Sequence, residues 1–445
     1  MPPPRTRVTG HADPRFRVTN AETIVAVSSG SPPAAIAVLR VSGPAALDVA
    51  RQLTGKPLPP ARSATLRELR DGRGEILDRA ILLVFPGPRS ATGEDLVELH
   101  CHGGRAVVAA VERAVLAQPR VRRAAPGEFT RRAFVNGRID LGQAEGLADL
   151  LMAETELQRQ AALSLTEGRF SAQVEQWRTA VLNLAAQVEA VLDFADEEDG
   201  EALHAGWVEN VRRLTGEIRD WLARPRTERL RDGVRVVLAG PPNSGKSTLF
   251  NALLDEDAAI VSEQAGTTRD VLERSVALGG VPLVLVDTAG IRDDAGDPLE
   301  REGIARTRQR LSRADVVLWL GPEGEGPAGA LEVEAQIDRA EATRKRAPWH
   351  RLSARTGEGM QSFVSKLREH AGGLLPQPGS FGVNERQARL LSGAVDALSD
   401  AEQAQDELVI AEHLRQARLA FDQLLGSAAT EDMLDALFAR FCIGK

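Results

Sequence analysis

An apolar, β-branched run, Val234–Leu238, leads directly into Gly240-Pro-Pro-Asn-Ser-Gly-Lys-Ser247, and a helical pattern follows. That juxtaposition restricts the fold more than any other stretch of the chain. In the spacing GxxxxGKS the glycines let backbone N–H groups turn inward at a helix N-terminus, where aligned peptide dipoles attract phosphate oxygens. Asn243, Ser244, Gly245, Lys246, Ser247 and Thr248 are therefore expected to cradle the phosphates of a nucleotide. Lys246 would neutralise charge on the β- and γ-phosphates, and Ser247 would offer its hydroxyl to Mg²⁺. A chance glycine-rich turn would need neither the preceding strand nor the Lys-Ser pair.

Further segments fall in the order of a GTP site. Asp287-Thr-Ala-Gly290 follows the apolar strand ending at Val286, where Asp287 can hold Mg²⁺ through water and the Gly290 N–H can meet a γ-phosphate. Gly266-Thr-Thr-Arg-Asp270 lies between the phosphate-loop helix and that strand, so Thr268 is placed to complete the Mg²⁺ shell. Ser353-Ala354-Arg355 adds a loop whose backbone N–H could meet guanine O6.

Around these motifs the chain alternates strand-like runs with helical stretches: Val234–Leu238, Ser275–Leu278, Leu283–Val286, Asp315–Leu320, Leu331–Gln336 and Trp349–Leu352. This rhythm predicts an open, mostly parallel sheet over 231–375. Helical texture flanks it on both sides, over 138–230 and 376–445. On the first flank Val174, Trp177, Val181, Leu184, Val188 and Val191 form one stripe of a long helix. The α/β unit therefore reads as an insertion in one helical domain. Upstream, Thr23–Val27, Ala35–Val41 and Ala80–Phe85 read as strands and Pro44–Leu53 as a short helix, giving an α+β domain over 21–137. Residues 1–20, rich in Pro, Arg and Thr, read as a disordered arm. The expected fold class is thus multidomain α/β plus α: an N-terminal α+β domain, a helical bundle and an inserted Ras-like P-loop domain.

The net charge of −8 supplies no global attraction to nucleic acid or to an anionic membrane, so any RNA contact would use a local patch. With no Tyr and 4% aromatic residues, an aromatic base-stacking platform is disfavoured. Cys101 and Cys442 form no disulfide framework, and no apolar run is long enough to span a bilayer or to act as a signal peptide. A cytoplasmic location, without membrane attachment, is expected.

GPPNSGKS, AGTTRD, DTAG and SARTGEG resemble the motifs of the bacterial and organellar tRNA-modification GTPase family called MnmE or TrmE. TGEDLVELHCHGG (92–104), APGEFTRRAFVNGRIDLGQAEGLADL (125–150) and the terminal FCIGK (441–445) are similar to it as well, so the resemblance covers nearly the whole chain in family order. It implies a homodimer joined through N-terminal folate-binding domains and a potassium-dependent GTPase. It also implies a flavoprotein partner, MnmG, in a heterotetramer that builds an aminomethyl-type group on carbon 5 of the wobble uridine of certain tRNAs.

The resemblance assigns roles residue by residue. Asn243 matches the P-loop potassium ligand, with main-chain oxygens around Ser262, Gln264 and Thr267 completing the shell. A monovalent cation there would supply the positive charge that an arginine finger gives other GTPases. Glu300 matches the acid that positions the attacking water and joins Lys246 as a catalytic candidate; Glu302 is its rival. Arg40, Glu98, Arg138 and Lys445 match positions around a 5,10-methylene- or 5-formyl-tetrahydrofolate, whose donor-rich pterin edge suits a carboxylate and whose anionic tail suits cations. Arg138 stands where Lys is common, Ala91 replaces an aromatic residue, and Ser28–Ala35 lacks the usual Gly-Arg-Gly-Gly texture.

One motif departs from the pattern. Where the guanine-reading NKxD belongs stands Ala335-Gln336-Ile337-Asp338, which keeps only the Asp. Rival readings are therefore a regulatory RNA- or ribosome-binding GTPase switch and a nucleotide-poor scaffold. His100 and His102 share a strand face with no distant ligands to complete a metal shell, so a core or turn role is expected for the His100-Cys101-His102 segment.

Overall fold

In the computed structural model, residues 22–193, 205–255, 272–287, 314–339, 344–376, 382–441 and 444 are described. Packing divides the chain into two compact units, 1–148 with 425–445, and 149–424.

The strands of the first unit are β1 (Thr23–Val27), β2 (Ile36–Ser42), β3 (Thr65–Arg70), β4 (Ile76–Phe85), β5 (Leu96–His102) and β6 (Val121–Arg123). They form one sheet in the order β3-β4-β5-β2-β1-β6, antiparallel except where β6 runs beside β1. Strand alternation places Val25, Val41, Val97 and Val84 in one row across four strands. That face is buried against α1 (Ala46–Thr54) and α2 (Arg105–Leu116) through Val49, Leu53, Val108, Val111 and Val115. The opposite face carries the row Ala26, Arg40, Glu98, Leu83 and, beside it, Val38, His100, Ile81, Leu66. Phe129 of α3 (Glu128–Val135) covers its β1 end together with Ile24, Ala26 and Ala124. Farther out Leu66 is 65% exposed, Ile36 59% and Ile81 40%.

Two late helical segments complete this unit's packing. Leu141 and Ala144 at the start of α4 (Leu141–Met152) pack with Leu434 and Phe438 of the last helix, α13 (Glu431–Phe438). Gly127, at φ +67°, lets α3 approach α13: a Cβ there would lie 2.3 Å from the Phe438 carbonyl oxygen. Beneath α3 the fully buried Arg132 donates to Glu94, to Glu128 and to the Glu22 carbonyl, while Arg122 also grips Glu128.

The second unit holds the helical bundle and the parallel sheet. Its bundle helices are α5 (Glu156–Thr166), α6 (Arg169–Asp193), α7 (Ala205–Leu222), α11 (Glu385–Gln403) and α12 (Glu407–Leu425). Val174, Trp177, Val181, Leu184 and Val188 are buried along α6, while Val191, the last residue of the expected stripe, is half-buried. Thr155 and Gln158 cap α5 reciprocally, and Asn384 and Gln387 do the same for α11. Gln158 also reaches beyond its own helix. Its Nε2 donates to the Leu230 and Arg231 carbonyls at 3.0 and 3.1 Å, tying the bundle to α8 (Glu228–Asp232), the turn that opens the sheet domain.

That domain consists of β7 (Val234–Ala239), α9 (Lys246–Asp255), β8 (Leu272–Leu278), β9 (Val281–Asp287), β10 (Val316–Trp319), β11 (Leu331–Glu334), β12 (His350–Arg351) and α10 (Met360–Gly372). The sheet order is β12-β11-β10-β7-β9-β8, parallel except for the β8–β9 hairpin. Leu238, Leu249, Phe250, Leu285, Leu318, Val333 and Phe363 are core residues of a doubly covered sheet.

Candidate nucleotide site and one-carbon site

β7 ends at Ala239, and the chain turns over Gly240-Pro241-Pro242-Asn243-Ser244-Gly245 before Lys246 opens α9. The turn needs unusual backbone: Gly240 is at φ +152°, Asn243 at φ +61° and Gly245 at φ +96°. Asn is among the few side chains that tolerate the left-handed region. Lys246 is buried, and its Nζ donates to the Gly240 and Pro241 carbonyls at 2.9 and 2.7 Å, so the ammonium spans the mouth of the loop. Ser247 and Thr248 are exposed on the first turn of α9. Asp287 closes β9 in register with Leu238 and is 2% exposed, which puts a shielded carboxylate beside the phosphate loop.

The segments expected to meet the base lie at the next strands. Leu352 N donates to Glu334 O at 3.0 Å and Ile337 N to Leu352 O at 3.3 Å, which aligns Ala335–Asp338 with Ser353-Ala354-Arg355. The buried Ser353 hydroxyl donates to Asp338 Oδ1 at 2.6 Å and in turn accepts from Thr356 N at 3.2 Å. The Ser353 hydroxyl, foremost, holds the Asp338 carboxyl below its usual range, with Arg355 and Arg339 adding to the effect. Gln336 is itself at φ +61°, and its Nε2 donates to the Asn243 carbonyl at 3.2 Å. Behind this loop the buried Glu334 accepts from Arg344, Arg351 and the Lys345 N–H. The Glu334 bonds have no sequence signature, since Glu334 lies within a strand-like run, and Gln336 is marked in the sequence only as a departure from NKxD, with nothing to signal its partner.

In the first unit Arg40 and Glu98 are cross-strand neighbours and meet as an ion pair, Nη2 to Oε1 at 2.8 Å. Glu98 Oε2 lies 3.2 Å from His100 Nε2, and the Arg40 guanidinium rests over the Phe129 ring. Burial opposes ionisation of Glu98, but hydrogen bonds from Arg40 and His100 outweigh it and leave its carboxyl below the usual range. Arg138 is exposed after α3, with its stem against Gly93. His102 pairs with Asp78 at 2.7 Å, so both histidines have carboxylate partners, and among the described residues no cluster of three metal-ligating side chains occurs. Burial and then the Asp78 charge push the Cys101 thiol up to about 12, an inert thiol.

At the tail, Gly444 is buried and its carbonyl accepts from Ser28 Oγ at 2.8 Å. Its φ is +101°, and a Cβ would come within 2.3 Å of the Val27 carbonyl oxygen. Ser262, Gln264, Thr267, Thr268, Gly290, Glu300, Glu302, Cys442 and Lys445 lie outside the described residues.

A phosphate loop between a parallel strand and a helix, a shielded Asp on the neighbouring strand and an Asp–Ser base loop define a P-loop GTPase domain, here set within a helical one. The family model described as "MnmE helical domain" matches residues 141–442, and that described as "GTP-binding protein TrmE N-terminus" matches 23–138. The tRNA modification GTPase MnmE of Erythrobacter litoralis is 60% identical over 424 residues, covering 95% of this chain and 100% of that protein. The proteins of the same name from Novosphingobium aromaticivorans and Zymomonas mobilis are 54% and 48% identical, each covering 95% of this chain and 100% of its relative. The chain belongs to the MnmE family of tRNA modification GTPases.

Proposed function

We propose that this protein hydrolyses GTP in a potassium-dependent manner and, with the flavoprotein MnmG and a one-carbon tetrahydrofolate, installs an aminomethyl-type group at carbon 5 of the wobble uridine of certain tRNAs. The observation that carries the reading is the pairing of Asp338 with Ser353 across from a complete phosphate loop, a guanine-reading carboxylate kept although its motif is degenerate. On binding, the Lys246 ammonium exchanges the Gly240 and Pro241 carbonyls for β- and γ-phosphate oxygens, and the loop N–H groups take the remaining charge.

The donor set suits the implied ions. A carboxylate as shielded as Asp287, together with the exposed hydroxyl of Ser247, fits Mg²⁺, with Thr268 as a further ligand. Asn243, left-handed in the loop, fits a monovalent cation held by its amide oxygen and by main-chain oxygens near Ser262, Gln264 and Thr267. Bound K⁺ would supply positive charge beside the phosphates as they react. Glu300 would orient the water, acting mainly in the transition state.

For the one-carbon site, Glu98, held ionised by Arg40 and His100, suits a donor-rich pterin edge, while Arg138 and Lys445 suit an anionic tail. The adjoining uncovered face with Leu66, Ile81 and Ile36 supports a homodimer joined through this sheet. Among the described residues no helix is long and apolar enough to cross a membrane.

Two measurements test the reading. Exchanging Na⁺ for K⁺ should raise GTP turnover strongly, and Asn243→Ala should abolish the rise while sparing nucleotide binding; equal turnover in both salts removes the potassium role. Mass spectrometry of wobble nucleosides from cells lacking this protein should show the modification missing, and its persistence would remove the tRNA role.

A further inference from the structure

Loss of the Asn and Lys of NKxD leaves the base loop without the two side chains that would fasten it. Gln336 occupies that gap. Its Nε2 donates to the Asn243 carbonyl at 3.2 Å, and a Cβ on Gly245 would lie only 3.0 Å from the same nitrogen, so the amide rests on the phosphate loop itself. The backbone of Gln336 is left-handed, at φ +61°, a conformation disfavoured for a side chain of this kind. The bond thus links the segment after β11 to the loop after β7, and Asn243, which receives it, is left-handed as well. Two residues on, Asp338 is fixed by Ser353.

We propose that Gln336 is a positioning residue that ties the base-recognition loop to the phosphate loop, so that both halves of the nucleotide site are held as one body without an intact NKxD. The inference rests on the nucleotide reading above and deepens it. A nucleotide bound between the two loops escapes when they separate, so the tie acts chiefly on release. Because the bond ends on the Asn243 main chain, it also fixes the residue assigned to the monovalent cation.

The test is release of mant-GDP from the full-length protein, followed by stopped-flow fluorescence alongside thermal unfolding. Glycine suits φ +61°, so Gln336→Gly should unfold no earlier than the wild type yet release mant-GDP roughly three- to tenfold faster, the loss of one neutral hydrogen bond. Gln336→Glu, which replaces the donor by an isosteric acceptor facing a carbonyl, should release faster still. Gln336→Lys, whose ammonium can reach the same oxygen, should restore slow release. Wild-type rates in the Gly or Glu variant, or a Lys variant as fast as the Gly variant, overturn the tie. A wild-type chain that binds while every variant behaves alike removes only this inference; a wild-type chain that retains no mant-GDP removes the nucleotide reading, and the tie with it.

Discussion

Asp338 receives the Ser353 hydroxyl at Oδ1, and that bond is the foremost cause holding the carboxyl below its usual range. A carboxylate accepts the N1 and N2 protons of guanine, whereas adenine presents a ring lone pair and leaves a charged acceptor unmatched, a penalty of about 1–3 kcal/mol or roughly tenfold and more in affinity. Competition binding should therefore favour GTP over ATP, and Asp338→Asn should shift preference toward xanthosine triphosphate, whose 2-oxo group suits an amide donor. Equal binding of ATP and GTP by the wild type would strip Asp338 of its role. A different carboxylate adds a pH-dependent contribution to stability. Burial of Glu128 works against its charge, but Arg122, the Ala125 N–H and Arg132 more than compensate and lower its pKa. A depressed native value means the contribution is complete above the unfolded value of about 4.3 and is lost as pH falls through the native one. Arg132→Met leaves Glu94 and Glu128 facing each other without their shared buried cation; it should cost about 3–5 kcal/mol and move acid unfolding to higher pH, as circular dichroism at graded pH would record.

Gly444 is the point where an element depends on a missing side chain. Its left-handed backbone and its contact with Val27 leave no space for a Cβ, so Gly444→Ala should undock the tail from the end of β1. Folate binding and tRNA modification should then fall while GTP turnover stays largely intact; unchanged modification would sever the tail from the N-terminal chemistry. No periodicity signals this contact, in which the Ser28 hydroxyl meets the Gly444 carbonyl from the far end of the sequence. The elements with strong patterns were legible: β1 matches its expected bounds, the α6 stripe is buried as far as Val188, and the βα rhythm became a sheet parallel except for the β8–β9 hairpin. β3 was not, because Thr65-Leu-Arg-Glu-Leu-Arg70 is an edge strand whose charges pair with β4, as Glu68 does with Arg79, instead of alternating cleanly. β4 likewise starts at Ile76, before the expected Ala80, since Asp78 and Arg79 interrupt the apolar run that marks the rest of the strand. At the nucleotide site the loop residues were legible from spacing, whereas the Gln336 contact depends on two left-handed residues brought together by separate strands.

At the scale of the molecule, the uncovered half of the N-terminal sheet is the surface with the plainest need of a partner. Leu66 and Ile81 are cross-strand neighbours in the same row, and a charge placed there would be desolvated by a second copy. Ile81→Lys should yield monomers in sedimentation while each retains GTP turnover, and a variant still dimeric at micromolar concentration would place the interface elsewhere. The division of the chain carries one more consequence, for the order in which the protein is made. β7 to β12 are contiguous in sequence and can close as soon as they leave the ribosome, but the first unit needs α13, which emerges roughly 290 residues after α4 begins, about 15–60 s later at 5–20 residues per second. Throughout that interval the α4 surface formed by Leu141 and Ala144 waits for Leu434 and Phe438. Synthesis itself thus imposes a checkpoint: a chain that stops short of α13 can complete its parallel-sheet domain but never the packing of its N-terminal unit.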